Sequence, residues 1–372
     1  MFLPLIPLRL HEAGIAAGLI GLNAAASTLA IFVVAPTIVR ILNRIGYSGA
    51  VGLGTILFAL TLVGMIAWEG YGVWTALRFL AGLGLTLQWV SCESWLNQAS
   101  PDHLRGRILS LYVASFIGGT AIGAAALDYI GTNGARPFQI MIALSLAAAM
   151  AILFGHGDAP KTGNMPKAAL WVAARQVPRL LSAALMMGVA QGSALGLMAF
   201  YGVRAGLSQG RAVWLHAVFL AGGVLLQGPI GWATDRYNRH QLLALTSILS
   251  AAAGPVAHLF VETTIPLYTL WFLGGGMTFG TYTVALALLG SRFQGSGMAA
   301  ANATFIMTWE LGTLSGAPLS GSAMELVGAI GLPMVMAGAM ALVVALALWG
   351  VNHSMATRVA DEPGNIDTKP RR

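Results

Sequence analysis

The feature that most constrains this chain is a succession of long apolar runs. Eleven stretches, each of roughly twenty residues and bounded by polar residues or Gly/Pro turns, cover 14–41, 49–68, 71–93, 107–130, 137–154, 178–201, 211–233, 241–261, 265–289, 297–323 and 330–351. A helix of that length crosses the roughly 30 Å hydrocarbon core of a bilayer. A shorter run, MFLPLIPLRL, comes first, and as a helix it rises only about 15 Å. Of the 372 residues, 57% are hydrophobic and 9% are charged, against about 25% charged in a soluble chain. A water-soluble fold has too few charges here to cover so much apolar surface. Composition and run length together predict an all-α integral membrane protein with eleven full spans and one partial one.

With the short run numbered span 1, the loops that follow even-numbered spans, taken with the C-terminal tail, hold fifteen of the twenty Lys and Arg. The opposite side holds Arg9, Arg136, Arg204 and Arg211, while Arg78 lies inside a span. By the positive-inside rule the first set faces the cytoplasm. The net charge of +7 is thereby a topological signal, and no nucleic-acid partner is expected. The single cysteine, Cys92, excludes an intramolecular disulfide and a Cys-based metal cage. Arg9 and His11 follow the first apolar run rather than precede it, so a cleaved signal peptide is not expected.

The polar interval 155–177 divides the chain into bundles at 1–154 and 178–351, followed by a polar tail at 352–372 expected to be disordered. The two bundles resemble each other at an offset a little over 190 residues: LRFLAG (77–82) returns as LWFLGG (270–275), NRIG (43–46) as DRYN (235–238), and LDYIG (127–131) as MELVG (324–328). Three matches in the same order indicate a duplicated six-helix unit. In that register Arg9 corresponds to Arg204, so the first 16 or so residues of span 7 have no counterpart and span 1 reads as truncated. The favoured explanation is a coding start upstream of Met1; the other is a bundle that lacks part of one wall.

Three stretches resemble a known family. GWATDRYNRH (231–240) resembles the loop signature of the major facilitator superfamily, and RFLAGLG (78–84) its fourth-helix signature. ESWLN with RGRILSLY (93–97, 105–112) is similar to the helix 4–5 junction of a bacterial permease branch. The resemblance implies two parallel six-helix halves around a midplane cavity, a monomer in the bacterial inner membrane, and no cofactor. It also implies that Asp235, Arg236 and Arg239, with Arg44 of the other half, form a cytoplasmic gate that biases alternating access; ordinary positive-inside anchoring is the alternative. The N-terminal copy departs from the signature, with Val39 for Gly, Asn43 for Asp, and Tyr47 and Ser48 for basic residues. IGGTAIGAA (117–125) lacks the proline of the antiporter signature, so drug–proton antiport has no motif support.

Charge inside a span marks a candidate functional site. Glu310 lies near the middle of span 11, where a carboxylate could carry a proton; pairing with a polar neighbour is the structural alternative. For Arg78 in span 4, the resemblance implies a role near proton coupling or helix packing, against snorkelling to the interface. Glu93 at the end of span 4 is expected to join Arg105 and Arg107 in a junction at the gate. Gln191, Gln88 and Asn302 could bond a polar solute, and Trp309 could line its cavity. His216 and His258 read as local hydrogen-bonders, and Asp128 and Glu325 as capping or loop-pairing groups at the ends of spans 5 and 11.

The resulting expectation is a secondary transporter for a small organic solute, driven by protons or by the solute's own gradient, in symport or efflux. No G-x-x-x-x-G-K-[ST] motif suggests ATP drive, and the seven histidines are too scattered for an embedded enzyme. The other open reading is a transporter-shaped protein that senses rather than transports.

Overall fold

A backbone crossing lipid has no water to bond its N–H and C=O groups, so a helix that satisfies them internally is the local solution for each apolar run. The computed structural model describes the backbone of residues 1–34, 37–99, 105–154, 175, 177–292 and 296–360. Apart from the isolated residues 175 and 177, the interval 155–177 lies outside the described residues, as does the tail beyond Ala360.

The N-terminal half consists of α1 (Phe2–Glu12), α2 (Ala17–Val34), α3 (Ile38–Ala67), α4 (Tyr71–Ala99), α5 (Arg105–Ile130) and α6 (Arg136–Phe154). The C-terminal half consists of α7 (Pro178–Arg204), α8 (Gln209–Leu225), α9 (Gln227–Arg236), α10 (Arg239–His258), α11 (Thr264–Arg292), α12 (Ser296–Val327) and α13 (Gly331–Ala360). Eight helices among the described residues are long and apolar enough to cross a membrane. Their outward faces carry large apolar side chains such as Leu60 and Leu342, as expected where lipid rather than water is the solvent.

Helix boundaries depart from the apolar runs where the backbone turns. Span 8 divides at Leu226 into α8 and α9. Its counterpart, span 2, ends as α2 at Val34 and resumes within α3, which turns at Gly46 (φ 70°, ψ 178°). Glycine tolerates that positive φ at no steric cost. Gly46 falls in the polar interval between the runs 14–41 and 49–68, whereas the break at Leu226 falls inside the run 211–233, where no charged residue marks it. The last helix continues past Val351, into the polar segment, as far as Ala360.

The duplication visible in sequence recurs in packing. Gly82 of α4 lets the backbone at Ser27 of α2 come within contact, and Gly275 of α11 does the same for the backbone at Phe219 of α8. A Cβ at either glycine would collide with those main-chain atoms. In a bilayer the apolar effect does not drive helices together, so such close approaches of small residues supply much of the attraction.

Candidate functional site between the halves

The halves meet chiefly along two seams, α2 against α12 and α5 against α8, and α1 also packs against α7. Both tighten at the end of the bundle away from the Arg-rich loops, hereafter the sparse end. On the first seam the Gly18 amide donates to Glu325 Oε1 (2.9 Å), and Gly21 abuts the Ala317 carbonyl. On the second the Trp214 indole donates to Asp128 Oδ2 (3.1 Å) and the Thr132 hydroxyl to Gln209 Oε1 (2.6 Å). The Gln209 amide donates in turn to Glu12. Among the described residues, every hydrogen bond between the halves lies at this end.

The two seams are one contact made twice. Gly18 is the second residue of α2 and Gly210 the second residue of α8, and the two positions correspond in the repeat. Each faces a carboxylate from the other half, Glu325 and Asp128 respectively, which also correspond. An anion at a helix N-terminus is stabilised by unpaired amides and by the helix dipole. Asp128 and Glu325, expected to cap or pair locally, instead close across the molecule.

Deeper in the C-terminal half, Gly188, Gly192 and Gly196 of α7 run at a spacing of four, as do Gly312, Gly316 and Ser320 of α12. The two stripes interlock backbone to backbone: side chains on Gly188, Gly312 or Gly316 would collide with the carbonyls of Trp309, Leu185 or Val189. Ser193 Oγ donates to the Gly316 carbonyl (3.0 Å), and Ser320 Oγ to Ser193 Oγ (2.8 Å). This pattern was readable as small-x-x-x-small, yet it carried no weight in the search for charge. It holds Trp309 and Glu310 in place. Glu310 is 3% exposed.

The Trp309 ring lies 5.3 Å from that of Tyr282, and Phe305 lies 5.5 Å from the same tyrosine. The Tyr282 hydroxyl on α11 lies within electrostatic reach of both Glu310 and Glu93, and that of Tyr112 on α5 within reach of Glu93. Glu93 is hydrogen-bonded to Trp89, whose carbonyl accepts from the Tyr112 hydroxyl (3.5 Å). Tertiary structure thus brings Glu93 and Glu310, which the sequence assigned to separate roles, within electrostatic reach of one tyrosine, Tyr282. Tyr282 and Tyr112 escaped the sequence search because a tyrosine in an apolar run has no distinguishing signal.

The other candidates are placed as follows. Arg78 is fully buried rather than snorkelling, donates to Asn23 Oδ1 (2.8 Å), and lies 5.7 Å above the Phe2 ring. Asn23 donates to Thr75 Oγ1 (2.9 Å), completing a relay between α2 and α4. Gln191 donates to the Thr278 carbonyl (3.4 Å) inside the C-terminal half, and Gln88 to Thr55 Oγ1 (2.7 Å) inside the N-terminal half. Asn302 is half-buried. At the basic end Asp235 and Arg44 are exposed, and Arg236 stacks 4.7 Å above Trp232. Arg239 donates to the carbonyls of Ala287 (3.0 Å) and Thr234 (3.4 Å). The side chains of Arg105 and Arg107 lie outside the described residues. His258 shares a hydrogen bond with the Tyr201 hydroxyl (3.0 Å), whereas buried His216 has no partner among the described residues for either ring nitrogen.

Two pseudo-symmetric helical halves with apolar exteriors and one buried carboxylate, Glu310, together with the relationships that follow, define a multi-pass membrane transporter rather than an enzyme. The chain belongs to the major facilitator superfamily, whose model matches residues 1–213 and again 180–370. It is 28% identical over 288 residues to an MFS-type transporter of Yersinia enterocolitica, covering 77% of this chain and 74% of that protein. It is 26% identical over 287 residues to the MFS-type transporter YcaD of Escherichia coli, with the same coverage of 77% and 74%. Among solved structures, a variant of the nucleoside transporter NupG superposes with a TM-score of 0.75 at 12% identity, covering 94% of each chain. A bacterial homologue of the human lysosomal transporter Spinster gives a TM-score of 0.74 at 12% identity, covering 95% of this chain and 92% of that one. At such identities the structural matches establish the fold alone.

Proposed function

We propose that this protein is a secondary active transporter that moves a small organic solute by alternating access, coupled to protons through Glu310. The observation that carries the reading is the placement of Glu310: it is buried, and among the described residues it forms no ion pair. An ionised carboxylate without a counter-charge is costly at that depth, whereas a carboxyl that takes up and releases a proton as the cavity opens is not. The inter-half hydrogen bonds at the sparse end support a cycle in which that end can close. In this reading the basic end faces the cytoplasm, and Asp235, Arg236, Arg239 and Arg44, with Glu93, Arg105 and Arg107, meet only when that end closes. Arg78, held by Asn23, fixes α4 against α2 so that the N-terminal half moves as one body.

The test uses proteoliposomes with an imposed pH gradient and a panel of labelled organic solutes. Wild-type protein should accumulate one class of solute only while the gradient lasts. Glu310→Gln should lose accumulation against a gradient yet keep solute-for-solute exchange. Full gradient-driven uptake by Glu310→Gln would remove this residue from the coupling mechanism.

A further inference from the structure

Apart from the seams and the carboxylate cluster, the C-terminal half holds a second concavity at its basic end, between α7, α10, α11 and α13. Its volume is about 260 Å³. Arg179 from the first turn of α7, His240 from the first turn of α10 and Arg292 from the last turn of α11 line it. Leu243, Leu288 and Leu346 form its apolar walls. Among the described residues that line it, none is acidic. Burial and the nearby Arg292 hold the His240 imidazole toward its neutral, hydrogen-bonding form.

Side-chain bonds to the backbone order the helix ends that frame the cleft. Arg239 reaches across to the Ala287 carbonyl (3.0 Å) and tethers the start of α10 to the end of α11. Asn238 caps the first turn of α10 by accepting from the His240 and Gln241 amides (2.9 and 3.3 Å). The start of α7 has no such side-chain cap, so its first-turn amides add to the positive potential of the cleft. Two arginines above leucine walls, at the ends of spans α7 and α11, match an anion that carries an apolar tail.

We propose that this cleft binds a phosphate-bearing anion, with Arg179 and Arg292 holding the phosphate and the leucine walls accepting acyl chain. The shared chemistry is the phosphate; its source is either an acidic phospholipid headgroup or free phosphate, and the leucines favour the lipid. Arginine is suited to this task because its planar fork presents paired donors to phosphate oxygens. The site is separate from the carboxylate cluster and does not depend on the transport reading.

The full-length protein in detergent would be titrated with phosphatidylglycerol, with phosphatidylcholine and with inorganic phosphate, reading lipid retention by native mass spectrometry and melting temperature by intrinsic fluorescence. Phosphatidylglycerol should be retained and should raise the melting temperature, while phosphatidylcholine of the same chain length should not. An equal rise with inorganic phosphate alone would assign the cleft to the free anion. The double variant Arg179→Gln/Arg292→Gln should weaken phosphatidylglycerol binding roughly thirty-fold, and Arg179→Lys/Arg292→Lys should retain most of it. Arg40→Gln, which removes a basic-end charge outside the cleft, should change binding by no more than about twofold. Equal retention of the two lipids by the wild-type protein, with no response to phosphate, overturns the proposal. So does undiminished phosphatidylglycerol binding by the double glutamine variant.

Discussion

Arg78 shows how a single charge survives inside a membrane bundle. Its guanidinium is fully buried, and Asn23 supplies its acceptor at 2.8 Å, with Thr75 orienting that amide in turn. Removing the acceptor leaves a buried cation with less compensation than it now has, and hydrogen bonds to charged groups are the stronger kind. Asn23→Ala should therefore lower stability by about 1–2 kcal/mol, read as a fall in melting temperature in detergent. Asn23→Gln, which keeps an amide, should recover part of the loss. A melting temperature unchanged in Asn23→Ala would show that the contact adds nothing. Glu310 is the opposite case at this scale: it has no such relay among the described residues, which is why a proton, rather than a side chain, is assigned as its partner.

At the scale of elements, the α7–α12 pair depends on glycine where other helix pairs depend on side-chain fit. A Cβ at Gly192 would meet the Thr313 backbone, which cannot swing aside as a side chain would. Gly192→Ala should cost about 1–3 kcal/mol and displace Trp309 and Glu310 with α12. Its effect should appear in both melting temperature and transport rate. Gly338→Ala on α13 has open space around it, so the same change there should be neutral or slightly stabilising, because alanine is the better helix former. A similar loss at both positions would show that the close backbone approach is not what makes Gly192 sensitive. These stripes were legible in the sequence as glycines four residues apart, but their partner was not: small residues recur on α4, α5, α7, α11 and α12 alike, and spacing on one helix does not name the helix it packs against.

For the whole molecule, the decisive relation is the pairing of Asp128 with the start of α8 and of Glu325 with the start of α2. Each contact joins the halves, and each is the repeat image of the other. Charge at a helix N-terminus contributes about 0.3–1 kcal/mol, so Asp128→Asn and Glu325→Gln should each shift the equilibrium roughly two- to fivefold toward opening at the sparse end. The double variant should shift it by the product. Spin-label distances across the α5–α8 seam, with Cys92 replaced by serine, measure this directly; equal distance distributions in the double variant and the parent would refute the latch.

What the sequence determined by itself is whatever depends on neighbours along the chain. Run length and composition define the spans, Lys and Arg placement gives them a sidedness, and the offset of LRFLAG to LWFLGG shows the duplication. All are local or periodic properties, and the demand for internally bonded backbone leaves helix as their one outcome. Tertiary structure decided which residues meet. Gly18 and Glu325 are separated by 307 positions yet share a hydrogen bond, and Glu93 and Glu310 come from different halves yet both act on Tyr282. The reason is physical: in lipid every apolar helix face is equally well solvated, so partner choice falls to close glycine approaches and a few polar contacts. Those are properties of two surfaces together, and neither surface carries them alone.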